Sequence, residues 1–217
     1  MLTQSSLDFL KDLSKNNNRD WFQTNKARYE KELKKPFEDF IGQIIQEIKK
    51  EDPRITLEPK KAIFRIHRDT RFSKDKTPYK TNVGAYISPA KELPGYYIHL
   101  EQGTFMTAGG AYSLEKEQLY QVRQHISRNP QHFKDIINHP DFKAHFEEGI
   151  RGEQNKKLPP EFQEAAKKQP LLFNKQFYAG AELDPKIILQ ADVMNVVMSH
   201  YHALKPLNDF LIEALTP

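Results

Sequence analysis

The stretch from Phe64 to Asn82 holds Arg65, Arg68, Arg71, Lys74, Lys76 and Lys80 against only Asp69 and Asp75. Guanidinium groups bind phosphate and carboxylate oxygens in a fixed fork, and lysine adds a point charge. Arg68, Arg71 and Lys80, with the hydroxyls of Ser73 and Thr77, form a candidate cradle for a phosphate-bearing or other anionic small ligand. The alternative is internal. Asp69 and Asp75 can neutralise these cations, which makes the loop a structural ion-pair network. Pro78-Tyr79 predicts that the loop is ordered in either case.

A second candidate is one face of a sheet. Ala62 to Arg68 alternates, with Arg65 and His67 on one side. Tyr97, His99 and Glu101 form one side of a later alternating run. Paired strands would place Arg65, His67, Tyr97, His99 and Glu101 together, with acid–base groups beside an arginine anchor. The competing reading is an ordinary polar face, or one packed under helices with each group hydrogen-bonded. The candidate ligand-binding set is Arg65, His67, Arg68, Arg71, Lys80, His99 and Glu101. Arg65, Arg68, Arg71 and Lys80 are its anchors, and His67 or His99 is available for chemistry. No catalytic residue and no cofactor is assigned.

Other chemistries have less to stand on. His67, His99 and Glu101 offer metal-ligand types, but no close-spaced signature such as His-Glu-x-x-His is present, and no metal is expected. His200 and His202 are two apart and fall on different helix faces. His67-Arg68-Asp69 matches the start of a kinase catalytic loop, yet Lys74 stands where that motif needs asparagine. Tyr79, Tyr86, Tyr96 and Tyr97 near the cations resemble a single-strand nucleic-acid platform. With a net charge of only +4, nucleic acid ranks second to a small anion. A non-catalytic module that meets nucleic acid or an acidic protein surface is the alternative from another class.

The elements that would position these residues follow from periodicity. Phe9, Leu10 and Leu13 mark a helix over 5–14. Asp20 with Gln23 resembles a capping box before a second helix, with Trp21 read as a core residue behind the cap. Pro36 fits the first turn of a third helix, whose stripe is Phe37, Phe40, Ile41, Ile44, Ile45 and Ile48. Strands are expected over 62–68, 83–88, 96–101 and 104–107, after which Gly109-Gly110 turns the chain out of the sheet. Ser113 is the expected cap of a helix with Leu119, Val122 and Ile126. Shorter helices are expected over 130–138, 141–149 and 161–168. The spacing predicts an exposed loop over 150–160 and an extended piece over 174–181. Asp184-Pro185 opens the last major helix, which Pro206 kinks or divides. Four successive strands predict a mostly antiparallel sheet in the middle of the chain, packed by N-terminal and C-terminal helices. The fold class is α+β, with 1–217 as a single domain.

Composition sets the outer bounds. The chain has 217 residues, no cysteine, fourteen Phe and nine Tyr. Aromatic burial compensates for a modest apolar share. The lack of cysteine excludes disulfides, thiolate metal sites and cysteine nucleophiles, and fits a reducing compartment. Met1 to Asp8 lacks the pattern of a signal peptide, and no run of about 18 apolar residues is present. A soluble, cytoplasmic protein with no membrane association is expected.

Several pieces also occur together in a known family. They are Asn17-Asn18-Arg19-Asp20-Trp21-Phe22, Phe64 through Lys80, Tyr97-Ile98-His99-Leu100 followed by Gly109-Gly110, and Ala203-Leu204-Lys205-Pro206-Leu207-Asn208-Asp209-Phe210. In these the chain resembles the domain-of-unknown-function 2461 family over nearly its whole length, in order. The resemblance implies one whole-chain domain and supplies no catalytic residues.

Overall fold

The computed structural model describes residues 1–216. In chain order the helices before the sheet are α1 (Gln4–Lys15), α2 (Arg19–Thr24), α3 (Lys26–Arg28), α4 (Lys35–Glu51) and α5 (Pro59–Ala62). Strands β1 (Asn82–Ile87), β2 (Gly95–Glu101) and β3 (Thr104–Ala111) follow. Next come α6 (Lys116–Arg128), α7 (Pro130–Asn138), α8 (Pro140–His145), α9 (Pro160–Lys168), β4 (Phe177–Leu183) and α10 (Val193–Leu215). The strands form one four-stranded antiparallel sheet in the order β1-β2-β3-β4. The fold is α+β, with helices before and after the sheet.

Several boundaries differ from the sequence expectation. Residues 62–68 do not form a strand. Pro59–Ala62 is a helical turn, and the following residues make only isolated bridges, Ile63 to Ala85 and His67 to Tyr79. The fourth strand is instead β4. Gly109 and Gly110 lie inside β3 rather than ending it. Asn18, not Asp20, caps α2, because its extended backbone lets Oδ1 accept the Trp21 N–H at 2.9 Å. Glu115, not Ser113, precedes α6 and is capped by Gln118. Asp184-Pro185 begins a 3₁₀ turn over Pro185–Leu189, and the long helix starts only at Val193. That helix continues through Pro206. In the 150–160 segment, Arg151 and Gln154 bridge to Tyr178 and Asn174.

The chain divides into two compact units of interleaved segments. The first holds Met1–Ile87, Tyr97–Thr107 and Glu182–Met198. Its helical backbone runs from α3 through a π-helical stretch, Tyr29–Lys34, directly into α4. Pro36 therefore stands in the first turn of α4, as expected, although the helical backbone already runs before it. Proline has no N–H for the Glu32 carbonyl one turn back. The buried Ser6 hydroxyl supplies that donor at 2.5 Å, while its oxygen accepts the Thr3 N–H. The whole α4 stripe is buried. Each of its large side chains contributes about 1.5–3 kcal/mol of transfer free energy.

The second unit holds Ser88–Tyr96, Ala108–Ala181 and Ser199–Pro217. Phe133, Phe142, Phe146, Phe177 and Phe210 are almost fully buried there. Arg123 is also buried. Its guanidinium donates to the carbonyls of Leu172 and Asn174, at 2.9 and 3.1 Å. Gly110 has φ +115°, a region costly for any side chain, and a Cβ there would stand 2.3 Å from the Phe177 carbonyl oxygen. Backbone strain and the forced separation of two strands would act together. Gly110→Ala is expected to cost about 2–5 kcal/mol in urea unfolding. A loss below about 0.5 kcal/mol, the level of an ordinary surface change, would contradict the close approach.

Candidate functional site

The site begins with how Tyr79 is held. The Asn17 side chain donates to the Tyr79 carbonyl at 2.9 Å and accepts its N–H at 3.1 Å, occupying both backbone groups. The buried Tyr79 ring stacks on Phe22 at 3.9 Å. On its other side Tyr79 bridges to His67. The neighbouring Lys80 N–H donates to the Ile66 carbonyl at 2.8 Å, and the Arg68 N–H to the Pro78 carbonyl at 2.9 Å. The base of the loop is thus a short two-stranded clamp anchored to the N-terminal helices.

The tip of the loop is satisfied from within. Arg68 pairs with Asp75 and with the Thr77 hydroxyl. Arg71 forms a two-pronged pair with Asp69, at 3.0 and 2.7 Å. Lys76 donates to the Thr70 carbonyl. The hydrogen bond from Arg68, then those from Thr77, hold the Asp75 carboxyl down at about 2. Arg71 does the same to Asp69 in direction.

Beside the clamp lies an open cleft of about 450 Å³. Phe64, Arg68, Asp69 and Lys80 line part of it. Asn82 and Gly84 of β1 and Tyr97 of β2 form the rest. Phe64 is half exposed, with its ring 6.2 Å from that of Tyr97. Lys80 Nζ rests 5.2 Å from the centre of the Phe64 ring. Among the described residues Lys80 has no carboxylate partner. Burial, and then the nearby Arg65 charge, push its pKa down. The Phe64 face acts in the opposite sense, by about 0.5–1 kcal/mol at a site this open.

Behind Tyr97 runs a hydrogen-bonded line along the exposed side of β2. The Tyr97 hydroxyl is 2.9 Å from His99 Nδ1, and Asn82 Nδ2 is 3.1 Å from the same atom. A side-chain amide nitrogen only donates, so Nδ1 accepts and the imidazole proton sits on Nε2. Nε2 faces Glu101 Oε2 at 3.6 Å, within ion-pair range but beyond a direct hydrogen bond. Gly84 makes room for this arrangement, since a Cβ there would stand 3.0 Å from the Tyr97 hydroxyl.

Of the residues expected from sequence, Arg68 and Lys80 line the cleft. His99 and Glu101 stand behind its Tyr97 wall. Arg65 is exposed, close enough for its charge to act on Lys80. His67 turns instead toward Tyr79 and Phe22, at ring distances of 5.1 and 6.4 Å. Arg71 is 77% exposed and held by Asp69. The even-numbered side chains Phe64 and Arg68 take the cleft side. Asn82 was missed, although its position opposite His99 follows once β1 and β2 pair. Trp21 is half-buried against Phe9, in keeping with a packing role.

A family profile described as a conserved hypothetical protein, DUF2461, matches residues 5–210. The chain belongs to that family. The DUF2461 match spans both the clamp around Tyr79 and the cleft. No curated protein and no solved structure matches the chain.

Two consequences are measurable. Asn17→Ala removes both partners of the Tyr79 backbone and is expected to cost about 1–3 kcal/mol in urea unfolding. An unchanged midpoint would mean that Asn17 does not carry the clamp. A depressed carboxylate lends order that is complete above its ordinary value and lost as pH falls through its folded one. The loop order that depends on Asp75 is therefore complete above 3.8 and disappears toward about 2. NMR shifts of residues 68–77 are expected to move across that window, and Asp75→Asn to produce the same pattern at neutral pH. Shifts that ignore both changes would refute the pairing.

Proposed function

We propose that this protein binds a small anionic ligand, phosphate- or carboxylate-bearing, in the cleft beside Lys80. The observation that carries this reading is Lys80 itself, a cation lining a concave site with no carboxylate partner among the described residues. Arg65 and Arg68 add positive potential around it, and Tyr97 and Asn82 offer polar groups for orientation. A cleft of this volume suits a small metabolite. Arg71 falls outside the ligand set. For the loop tip, the ion-pair reading is favoured by the Asp69–Arg71 and Asp75–Arg68 pairs.

The protein is proposed to work in the cytoplasm, in line with its lack of cysteine. Among the described residues, no helix is long and apolar enough to cross a membrane. Nucleic acid remains the second partner. It would use the same cations as a backbone track, and its binding would fade steeply with salt.

Calorimetric titration with inorganic pyrophosphate, at moderate salt, tests the reading. Lys80→Ala is expected to weaken binding about tenfold or more, as loss of a charge-assisted contact does. Arg71→Ala should leave it within about twofold, the level of an exposed ion pair. No binding of pyrophosphate or of a dicarboxylate such as succinate, or equal effects of the two substitutions, would sink the proposal. Binding only of a single-stranded oligonucleotide, lost as salt rises, would replace it with the nucleic-acid reading.

A further inference from the structure

The distribution of partners around the cleft sets Lys80 apart from the other cations of the loop. Arg68 and Arg71 are each tied to a carboxylate, and Lys76 to a backbone carbonyl. Lys80 instead rests against the face of Phe64 at the foot of the cleft. Tyr97 packs on the same Phe64 ring, and its hydroxyl is backed by His99 and Glu101. A lysine amine on an aromatic ring beside another cation, with a tyrosine lining the same cleft, is an arrangement suited to attack on carbonyl carbon.

We infer that Lys80 forms an imine with an aldehyde or ketone carrying a neighbouring carboxylate or phosphate, and that Tyr97 moves the protons. This rests on the anion-binding reading above and narrows its ligand to a carbonyl compound. The positive charge of the nearby Arg65 and of Arg68 at the cleft wall favours the anionic end. The Lys80 nitrogen bonds to the carbonyl carbon, and the carbonyl oxygen takes up a proton to give a carbinolamine. The nitrogen gives up its proton, the oxygen departs as water, and the C=N bond forms. Amine plus carbonyl becomes imine plus water, with no oxidant or reductant consumed. Tyr97 takes the proton from nitrogen as it passes its own to His99 Nδ1. The return movement delivers a proton to the leaving oxygen. His99 and Glu101 are positioning residues, and Glu101 faces the imidazolium formed midway. The downward push on the Lys80 pKa, from burial and from Arg65, agrees with an amine that is free of its proton more readily than an exposed lysine.

The test is reductive trapping on the full chain. The protein is incubated with glyoxylate and cyanoborohydride near neutral pH, and labelled lysines are located by peptide mass spectrometry. Lys74, exposed in the same loop, is the internal reference. Lys80 is expected to label about tenfold faster than Lys74 or more. Tyr97→Phe should slow labelling at Lys80 at least about tenfold and leave Lys74 unchanged. Lys80→Arg should abolish labelling at this position and leave labelling of Lys74 unchanged. His99→Gln, checked for an unchanged melting temperature, should reproduce the Tyr97→Phe effect in part. Lys80 labelled no faster than Lys74 in a protein that still binds pyrophosphate would overturn the imine and leave the anion site intact. Acetaldehyde labelling Lys80 as fast as glyoxylate would overturn the anionic substrate class. Joined to absent pyrophosphate binding, that result would remove the underlying reading as well.

Discussion

The pleat of β2 is the constraint on which the site depends. Tyr96, Ile98 and Leu100 are buried, so Tyr97, His99 and Glu101 must emerge together on the opposite side. A slip of one residue would bury the chemical groups and expose the apolar ones. Burying Ile98 and Leu100 alone contributes about 3–6 kcal/mol in gross transfer terms, which the slipped register would forfeit. The Tyr97–His99–Glu101 line is therefore set by hydrophobic alternation, before any hydrogen bond forms. Gly84 then determines how closely Tyr97 lies against β1, and Asn82 which tautomer His99 adopts.

The basic loop divides into two parts with different physics. Its tip neutralises its own charge through pairs two to seven residues apart, which any solvent-exposed loop can form. Its base is tied by Asn17, Phe22 and Tyr79, side chains far apart in sequence. The stretches Asn17 to Phe22 and Phe64 to Lys80 are thus one physical object. The first supplies the amide and the ring that hold the second in place.

Much of this was legible in the chain. The α4 stripe, the three central strands and the sharing of one face by Tyr97, His99 and Glu101 follow from spacing alone. What failed was local competition. Ala62 to Arg68 alternates like a strand, but Pro59 starts a helical turn and Pro78-Tyr79 folds back on the segment, leaving only isolated bridges. The face that meets the cleft is therefore the one with Phe64 and Arg68, while His67 lies toward Tyr79 and Phe22. Gly109-Gly110 has the composition of a turn. Its purpose is the opposite one, letting two strands approach within a distance that no Cβ allows. Asn17 and Asn82 act through single side-chain amides on distant backbone or ring atoms, for which sequence spacing carries no signal.

The contact between Ser6 and Glu32 has a reach beyond its size. Pro36 offers no N–H to the turn before it, and a hydroxyl from the first helix donates to a carbonyl of that turn. Serine and proline, thirty residues apart, are thereby coupled in what each position can tolerate. Alanine at position 36 would return one N–H to that turn and give the hydroxyl a backbone competitor there. While proline remains, position 6 is restricted to a small side chain that can both give and receive a hydrogen bond.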